Sequence, residues 1–234
     1  VGIAQPKGFI FGLEDARMSG KMAVLVDGGF YLKRAANLKG DKSPFDRADE
    51  LYQYCLGHVR HEGAELYRIF YYDCDPVDKK AFHPFLNRTI DLRKSEQYGW
   101  KIEFFKCLSH HRKVAIRKGD QLDGRCEYVM KADVSSAITR GKMKLEDLRA
   151  EDFTLNLEQK GVDVRIGLDV AWLAEKRFVD KIVLVTADSD FVPAAKFARR
   201  NGVDFILDNM WHPVRDSLLE HVDGLYTPWR NPRK

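Results

Sequence analysis

The chain has 234 residues, 44% hydrophobic and 32% charged, with 39 Lys and Arg against 35 Asp and Glu for a net charge of +4. That balance excludes a wholly disordered chain, which needs low hydrophobicity and a large net charge, and no run of about 18 apolar residues marks a membrane span. At roughly 100–200 residues per domain, one large domain or one domain with an insertion is expected, and the mildly basic balance permits a nucleic-acid partner without demanding one.

Residues 1–21 carry a short apolar patch but no basic start and no small-residue cleavage site, so they read as an N-terminal extension or fusion remnant. Residues 22–26 form an apolar run that ends at Asp27-Gly28-Gly29, the pattern of a buried parallel strand. Helical character follows over 30–38 and 49–62, and an aromatic-rich second strand over 65–72 ends at Asp73-Cys74-Asp75-Pro76. The apolar spacing Phe82, Phe85, Leu86, Ile90 predicts a helix over 79–97, with that stripe in the core, and the alternation over 100–105 predicts a third strand.

The stretch 106–159 is the least regular, with a strand or hairpin expected near 112–117 and helices near 128–140 and 145–149. Regularity returns with a helix over 164–178 and a strand over 181–186 that ends at Ala187-Asp188-Ser189-Asp190. A helix over 191–200 then stops at Asn201-Gly202. A fifth strand over 203–207, a helix over 214–221, an edge strand over 224–227 and a basic tail over 229–234 complete the chain.

Strands alternating with helices predict a three-layer α/β/α sandwich around a mostly parallel, Rossmann-like sheet. The expected organisation is one domain over 22–228, with residues 106–159 inserted after the third strand. The four cysteines, Cys55, Cys74, Cys107 and Cys126, lie far apart with no C-x-x-C pair, which fits free thiols in a cytoplasmic chain.

The acids fall at strand ends: Asp27 after the first, Asp73 and Asp75 after the second, Asp188 and Asp190 after the fourth, Asp208 at the fifth. In an open parallel sheet those ends share one edge, where ligands bind at the switch point. The first and fourth strands are the expected central pair, which brings Asp27 near Asp188 and Asp190. Clustered carboxylates repel unless a cation neutralises them, and hard oxygen donors suit Mg²⁺ or Mn²⁺. In D-x-D at a strand-to-helix turn, one acid can face the cleft while the other caps the helix. The bland alternative makes Asp190 only that cap. Asp163 reads as the cap of the next-to-last long helix, and Asp169 as a poorly helix-favouring acid inside it.

The segments VLVDGGF (24–30), KGVDVRIGLDVAWLA (160–174), VLVTADSDFVPAAKFARRNGVDFIL (183–207) and LLEHVDGLYTP (218–228), in this order and spacing, resemble the NYN-domain branch of the PIN-like nuclease superfamily. The resemblance covers 22–105 and 160–228. It implies a Rossmann-like sandwich, an acidic cluster that binds Mg²⁺ or Mn²⁺, and ribonuclease activity. By motif, Asp27 is the acid after the first strand, Asp163 and Asp169 belong to the KGVD helix, and Asp188 and Asp190 to the [ST]-x-D-S-D turn led by Thr186. The implied metal ligands are Asp27, Asp163 and Asp188. The length of 106–159 departs from the family pattern and bears on substrate access.

The segment 106–118 has five Lys or Arg, two His and no acid, and beside an acidic metal cleft it would contact phosphates. Arg112, Lys113, Arg117, Lys118 and the lone Lys160 are therefore candidate substrate-binding residues, together with Thr186. Phe30 and Tyr31 are candidates to stack on a base or to pack in the core. Cys107, His110, His111 and Cys126 do not have the spacing of a closed zinc set. No P-loop or G-x-G-x-x-G is present. Asp27-Gly-Gly also lacks the second Asp of a haloacid-dehalogenase-type phosphatase. The expected activity is metal-dependent phosphodiester hydrolysis, with RNA as the first choice of partner, no membrane, and self-association allowed. The alternative is a non-catalytic RNA-binding or interaction module on the same fold.

Overall fold

The computed structural model describes residues 20–121, 126–156 and 159–232. Strand β1 (Lys21–Asp27) is buried from Met22 to Val26, because a central parallel strand is covered on both faces. Helices α1 (Gly28–Lys39) and α2 (Pro44–His61) follow. The first ends at Gly40, whose φ of 73° suits glycine. The second starts after Ser43, whose hydroxyl accepts the Asp46 N–H at 3.1 Å, with Pro44 in the first turn. Strand β2 (Glu65–Cys74) then pairs parallel with β1.

Two expectations fail next. The span 79–97 is not a helix but the antiparallel hairpin β3 (Lys80–His83) and β4 (Arg88–Asp91) with a short 3-10 turn after it. Pro84 sits between the two strands and Asn87 takes a positive φ of 48°, both incompatible with a continuing helix. The supposed core stripe is largely on the surface, with Phe82, Phe85 and Leu86 exposed.

The span 100–105 is not a strand but part of helix α3 (Glu96–Ser109), capped by Ser95 through the Tyr98 N–H at 3.2 Å. The alternation Trp100, Ile102, Phe104 imitates a strand. The residues that α3 buries are Phe104, Phe105 and Leu108, at helical spacing, while Ile102 is exposed and Trp100 stacks on Phe104 one turn away.

The sheet's third parallel strand is β5 (Val114–Gln121). The insertion after it contributes β6 (Glu127–Met130), helix α4 (Ala132–Thr139), 3-10 turns and β7 (Phe153–Asn156). Strands β6 and β7 pair with each other, and Tyr128 and Phe153 pack on His83 of β3. A small satellite layer thus joins the insertion to the β3/β4 hairpin. The chain returns through β8 (Gln159–Lys160), antiparallel to β5, into α5 (Val162–Glu175), β9 (Lys181–Val185), α6 (Val192–Arg200), β10 (Asp204–Asp208), α7 (Asp216–Leu219) and β11 (Gly224–Leu225).

The sheet order is β11-β10-β9-β1-β2-β5-β8, with every pairing parallel except β5 with β8. Helices cover both faces of six parallel strands, the three-layer α/β/α arrangement expected. On one face Val24, Val26 and Tyr71 pack with α1, α2 and α3. On the other, Ala23, Leu25, Phe70 and Tyr72 pack with α5 and α6. Strand order reverses between β1 and β9, so the switch point lies where Asp27 and Thr186 leave the sheet.

Gly28 explains the glycine directly after Asp27. A Cβ there would lie 2.5 Å from the Tyr71 phenol and 2.6 Å from the Tyr72 carbonyl oxygen. Gly28→Ala is expected to cost about 1–3 kcal/mol of stability by forcing α1 away from β2. Urea unfolding measures this, and an unchanged midpoint would show that the close approach is not required.

Candidate active site

The sheet's carboxyl edge is built from the ends of β1, β2 and β9 and the start of α5. Asp27 ends β1 and caps α1, accepting the Phe30 N–H at 3.1 Å on Oδ1. The Thr186 hydroxyl lies 3.4 Å from Asp27 Oδ2 and accepts the Asp188 N–H at 3.3 Å. Thr186 is fully buried, so its hydroxyl ties β1 to β9 and orients two acids; the expectation that it binds substrate is corrected.

Burial raises the Asp27 carboxyl from an ordinary 3.8 to about 6, and the negative charges of Asp163 and Asp73 add to the rise against the Phe30 and Thr186 hydrogen bonds. Asp163 is also raised, by burial first and then by Asp188 and Asp190. The structure therefore brings Asp27, Asp163, Asp188 and Asp190 into one electrostatic neighbourhood. Asp163 is not the helix cap: Gly161 holds that position with φ of 89°, and Asp163 sits in the first turn of α5, where the helix dipole favours negative charge. In the D-x-D turn, Asp188 is the cap, accepting the Asp190 N–H at 3.0 Å, which reverses the roles expected from sequence.

Asp169 stands apart. Its Oδ2 accepts the Tyr72 hydroxyl at 2.8 Å and the Arg117 Nε at 3.1 Å. Its charge is already met by Arg117, so it is a partner of that arginine, neither solvent-facing nor in the cluster. The basic segment splits as well. Lys118 reaches Asp75 at 2.7 Å on the carboxyl edge. Lys113 instead turns back to Glu65 and the Leu66 carbonyl at the amino end of β2, so Arg112 and Lys113 precede β5 on the edge opposite the acids. Their assignment to phosphate contact is corrected for that reason. Backbone pairing of β8 with β5 places Lys160 opposite Asp120, and its side chain lies outside the described residues. Tyr31 is fully buried and belongs to the core, while Phe30 meets His212 edge-on at 6.0 Å.

Sequence reasoning missed one pair as site members. Asp73 is buried, and its Oδ1 accepts Lys101 Nζ at 2.7 Å and its own neighbour Cys74 N–H at 2.7 Å. Its position at the end of β2 was a visible signal; Lys101 was hidden by the mistaken strand over 100–105.

In the ion-free protein Asp27 holds its proton more tightly when folded than when unfolded, so stability falls as pH rises from 3.8 to about 6. That gap corresponds to at most about 3 kcal/mol. In EDTA, wild type is expected to lose up to that much stability relative to Asp27→Asn between about pH 3.5 and about pH 7. Parallel pH curves for the two proteins would show that this carboxyl carries no such load.

Among the described residues, no three His, Cys, Asp or Glu side chains converge as a ready-made metal cage. The donor set nevertheless fits Mg²⁺ or Mn²⁺: it is all oxygen, it carries excess negative charge, and Mg²⁺ usually keeps several waters while binding through one or two carboxylates. The same criterion leaves Cys107, His110, His111 and Cys126 outside any metal group, and all four cysteines are free thiols. No described helix is long and apolar enough to cross a membrane.

A protein of unknown function, VPA0982 from Vibrio parahaemolyticus, is 13% identical, with 90% of this chain and 93% of that one covered and a TM-score of 0.47. The Sir2–p53 peptide–NAD+ structure is 10% identical over 88% of this chain and 86% of that one, with a TM-score of 0.34. Similarity this low carries no functional argument. No curated protein matches. The NYN domain family model matches residues 126–220, a span that contains Asp163, Asp169, Asp188 and Asp190 but not Asp27. Over these residues the chain is similar to the NYN domain family, which belongs to the PIN-like nuclease superfamily.

Proposed function

We infer that the chain is a metal-dependent ribonuclease whose site is the carboxyl edge around Asp27. The NYN domain supports a nuclease-type function. The observation that carries the finer reading is the Asp27 carboxyl itself: held at the switch point by Phe30 and Thr186, and raised to about 6 by burial and by neighbouring acids. A carboxylate fixed in that state is destabilised until a cation arrives. Asp27, Asp163 and Asp188 are the residues that would hold Mg²⁺ or Mn²⁺. Such an ion, when bound, supplies the activated water and the charge neutralisation that phosphodiester hydrolysis needs.

The protein's own groups do the rest. Thr186 and the Phe30 N–H fix the direction of Asp27, and the first turn of α5 presents Asp163 toward the same edge. Arg117 and Lys118, midway along β5 and opposite Tyr72 and Asp73 of β2, and Lys101 of α3 offer positive charge to the flanking phosphates of a bound strand. Incubation of labelled single-stranded RNA with Mn²⁺, Mg²⁺ or EDTA tests the reading: cleavage is expected in both metals and not in EDTA. RNA retention without cleavage in any metal would instead establish the non-catalytic binding module, which the engagement of Asp169 by Arg117 favours.

A further inference from the structure

Beside the acidic edge lies a half-open cavity of about 200 Å³, bordered by the loop after β2, the start of α3 and β7 of the insertion. Its walls include Val77, Leu92 and Leu155, the half-buried ring of Tyr98, and the polar side chains of Ser95 and Gln97. Ligand pockets for drug-sized molecules start near 300 Å³, so this space suits one flat heterocycle and not a larger ligand. The composition matches that guest: apolar walls and an aromatic ring for the faces, and the Gln97 amide for a base's edge.

Position gives the cavity its meaning. Lys101 lines it, and the same Lys101 Nζ lies 2.7 Å from Asp73 Oδ1. Asp73 in turn acts on the charge of Asp27. Asp75, which also lines it, holds Lys118 at 2.7 Å. Two lysines, each paired with an acid at the end of β2, therefore lie beside the cavity, and the backbone of a strand passing from it to the acidic edge would meet them.

We propose that this cavity is a nucleobase subsite, which takes one unstacked base of single-stranded RNA while the neighbouring phosphates meet Lys101 and Lys118 and lead to the acidic edge. The proposal rests on the ribonuclease reading for its substrate, and it assigns a substrate-selecting role to the insertion, which contributes Leu155, and to the β3/β4 segment, which contributes Leu92 at its end. A base stacked on an aromatic side chain adds affinity whatever its identity, so Tyr98 sets where the strand sits more than which sequence it carries.

The test measures binding without cleavage. Fluorescence anisotropy of a labelled short single-stranded RNA is read in EDTA and in Ca²⁺, for wild type, Tyr98→Ala and Tyr98→Phe, with an abasic site walked along the strand. Tyr98→Ala is expected to weaken binding at least about 5-fold, with Tyr98→Phe close to wild type. One abasic position should reproduce the loss in wild type and cause no further loss in Tyr98→Ala, as two changes to a single contact do. Unchanged melting temperature of Tyr98→Ala separates lost contact from lost fold. The proposal is overturned by wild-type affinity in Tyr98→Ala, by losses that add at every abasic position, or by no RNA binding to wild type in either buffer. The nuclease reading fails separately, through absence of metal-dependent cleavage, so the two failures are distinguishable.

Discussion

On the proposed function, Asp27→Asn is expected to lower RNA cleavage by at least about 10³-fold in saturating Mn²⁺, because an ion that would supply several kcal/mol of charge stabilisation would lose its most deeply held ligand. The loss is not one of folding. Asn keeps the shape, still accepts the Phe30 N–H, and removes a carboxyl that burial and Asp163 destabilise, so the metal-free variant unfolds at a higher temperature than wild type at pH 7. Loss of activity together with gain of stability is the signature of a residue held in a costly state for function. Mn²⁺ should raise the melting temperature of wild type and leave that of Asp27→Asn nearly unmoved, since a ligand stabilises only the state that binds it. Asp169→Asn, whose carboxyl already meets Arg117 and Tyr72, should retain the Mn²⁺ shift. Full cleavage by Asp27→Asn in the presence of metal sinks the assignment.

The strand-end rule made most of this edge legible. Asp27, Asp188 and Asp190 follow short apolar runs bounded by turn residues, and runs of that kind pair as β1 and β9 do. What stayed hidden depended on contacts that periodicity does not encode. Trp100, Ile102 and Phe104 alternate like a strand, yet Ser95 as a cap and Phe105 with Leu108 on the same buried side make α3, and only the helix places Lys101 against Asp73. The spacing of Phe82, Phe85 and Leu86 imitates a helix, but Pro84 breaks it, and of the three Phe85 packs on Phe153 of the satellite layer. Charge runs misled for a related reason: Arg112 and Lys113 adjoin Arg117 in sequence but lie at the far end of the strand, because each residue of β5 advances about 3.3 Å from one edge of the sheet to the other. The exchange of roles between Asp188 and Asp190 was beyond any pattern, since either acid in D-x-D can cap the turn.

Asp208 resembles the other strand-end acids in sequence and differs from them in its buried side-chain partners. It is fully buried, 2.8 Å from His58 Nε2, and it accepts the Thr227 hydroxyl at 2.7 Å, the Met210 N–H at 2.9 Å and the Tyr54 hydroxyl. These partners come from α2, from the turn after β10 and from the segment after β11, so one carboxylate joins the last strands of the sheet to the helical layer over them. Asp208→Ala leaves a buried imidazole and three further donors without their acceptor, a change that costs about 3–5 kcal/mol where a buried pair is broken. At this chain length each kcal/mol moves the melting temperature by about 2–4 °C, so a drop of roughly 6–20 °C is expected. Asp208→Asn, which keeps an acceptor oxygen, should lose less. Below its melting temperature Asp208→Ala should still cleave RNA and still gain stability from Mn²⁺, because the carboxylate faces the core and not the edge where Asp27 lies. An Asp208→Ala protein that melts like wild type but no longer responds to Mn²⁺ would move this acid into the metal site.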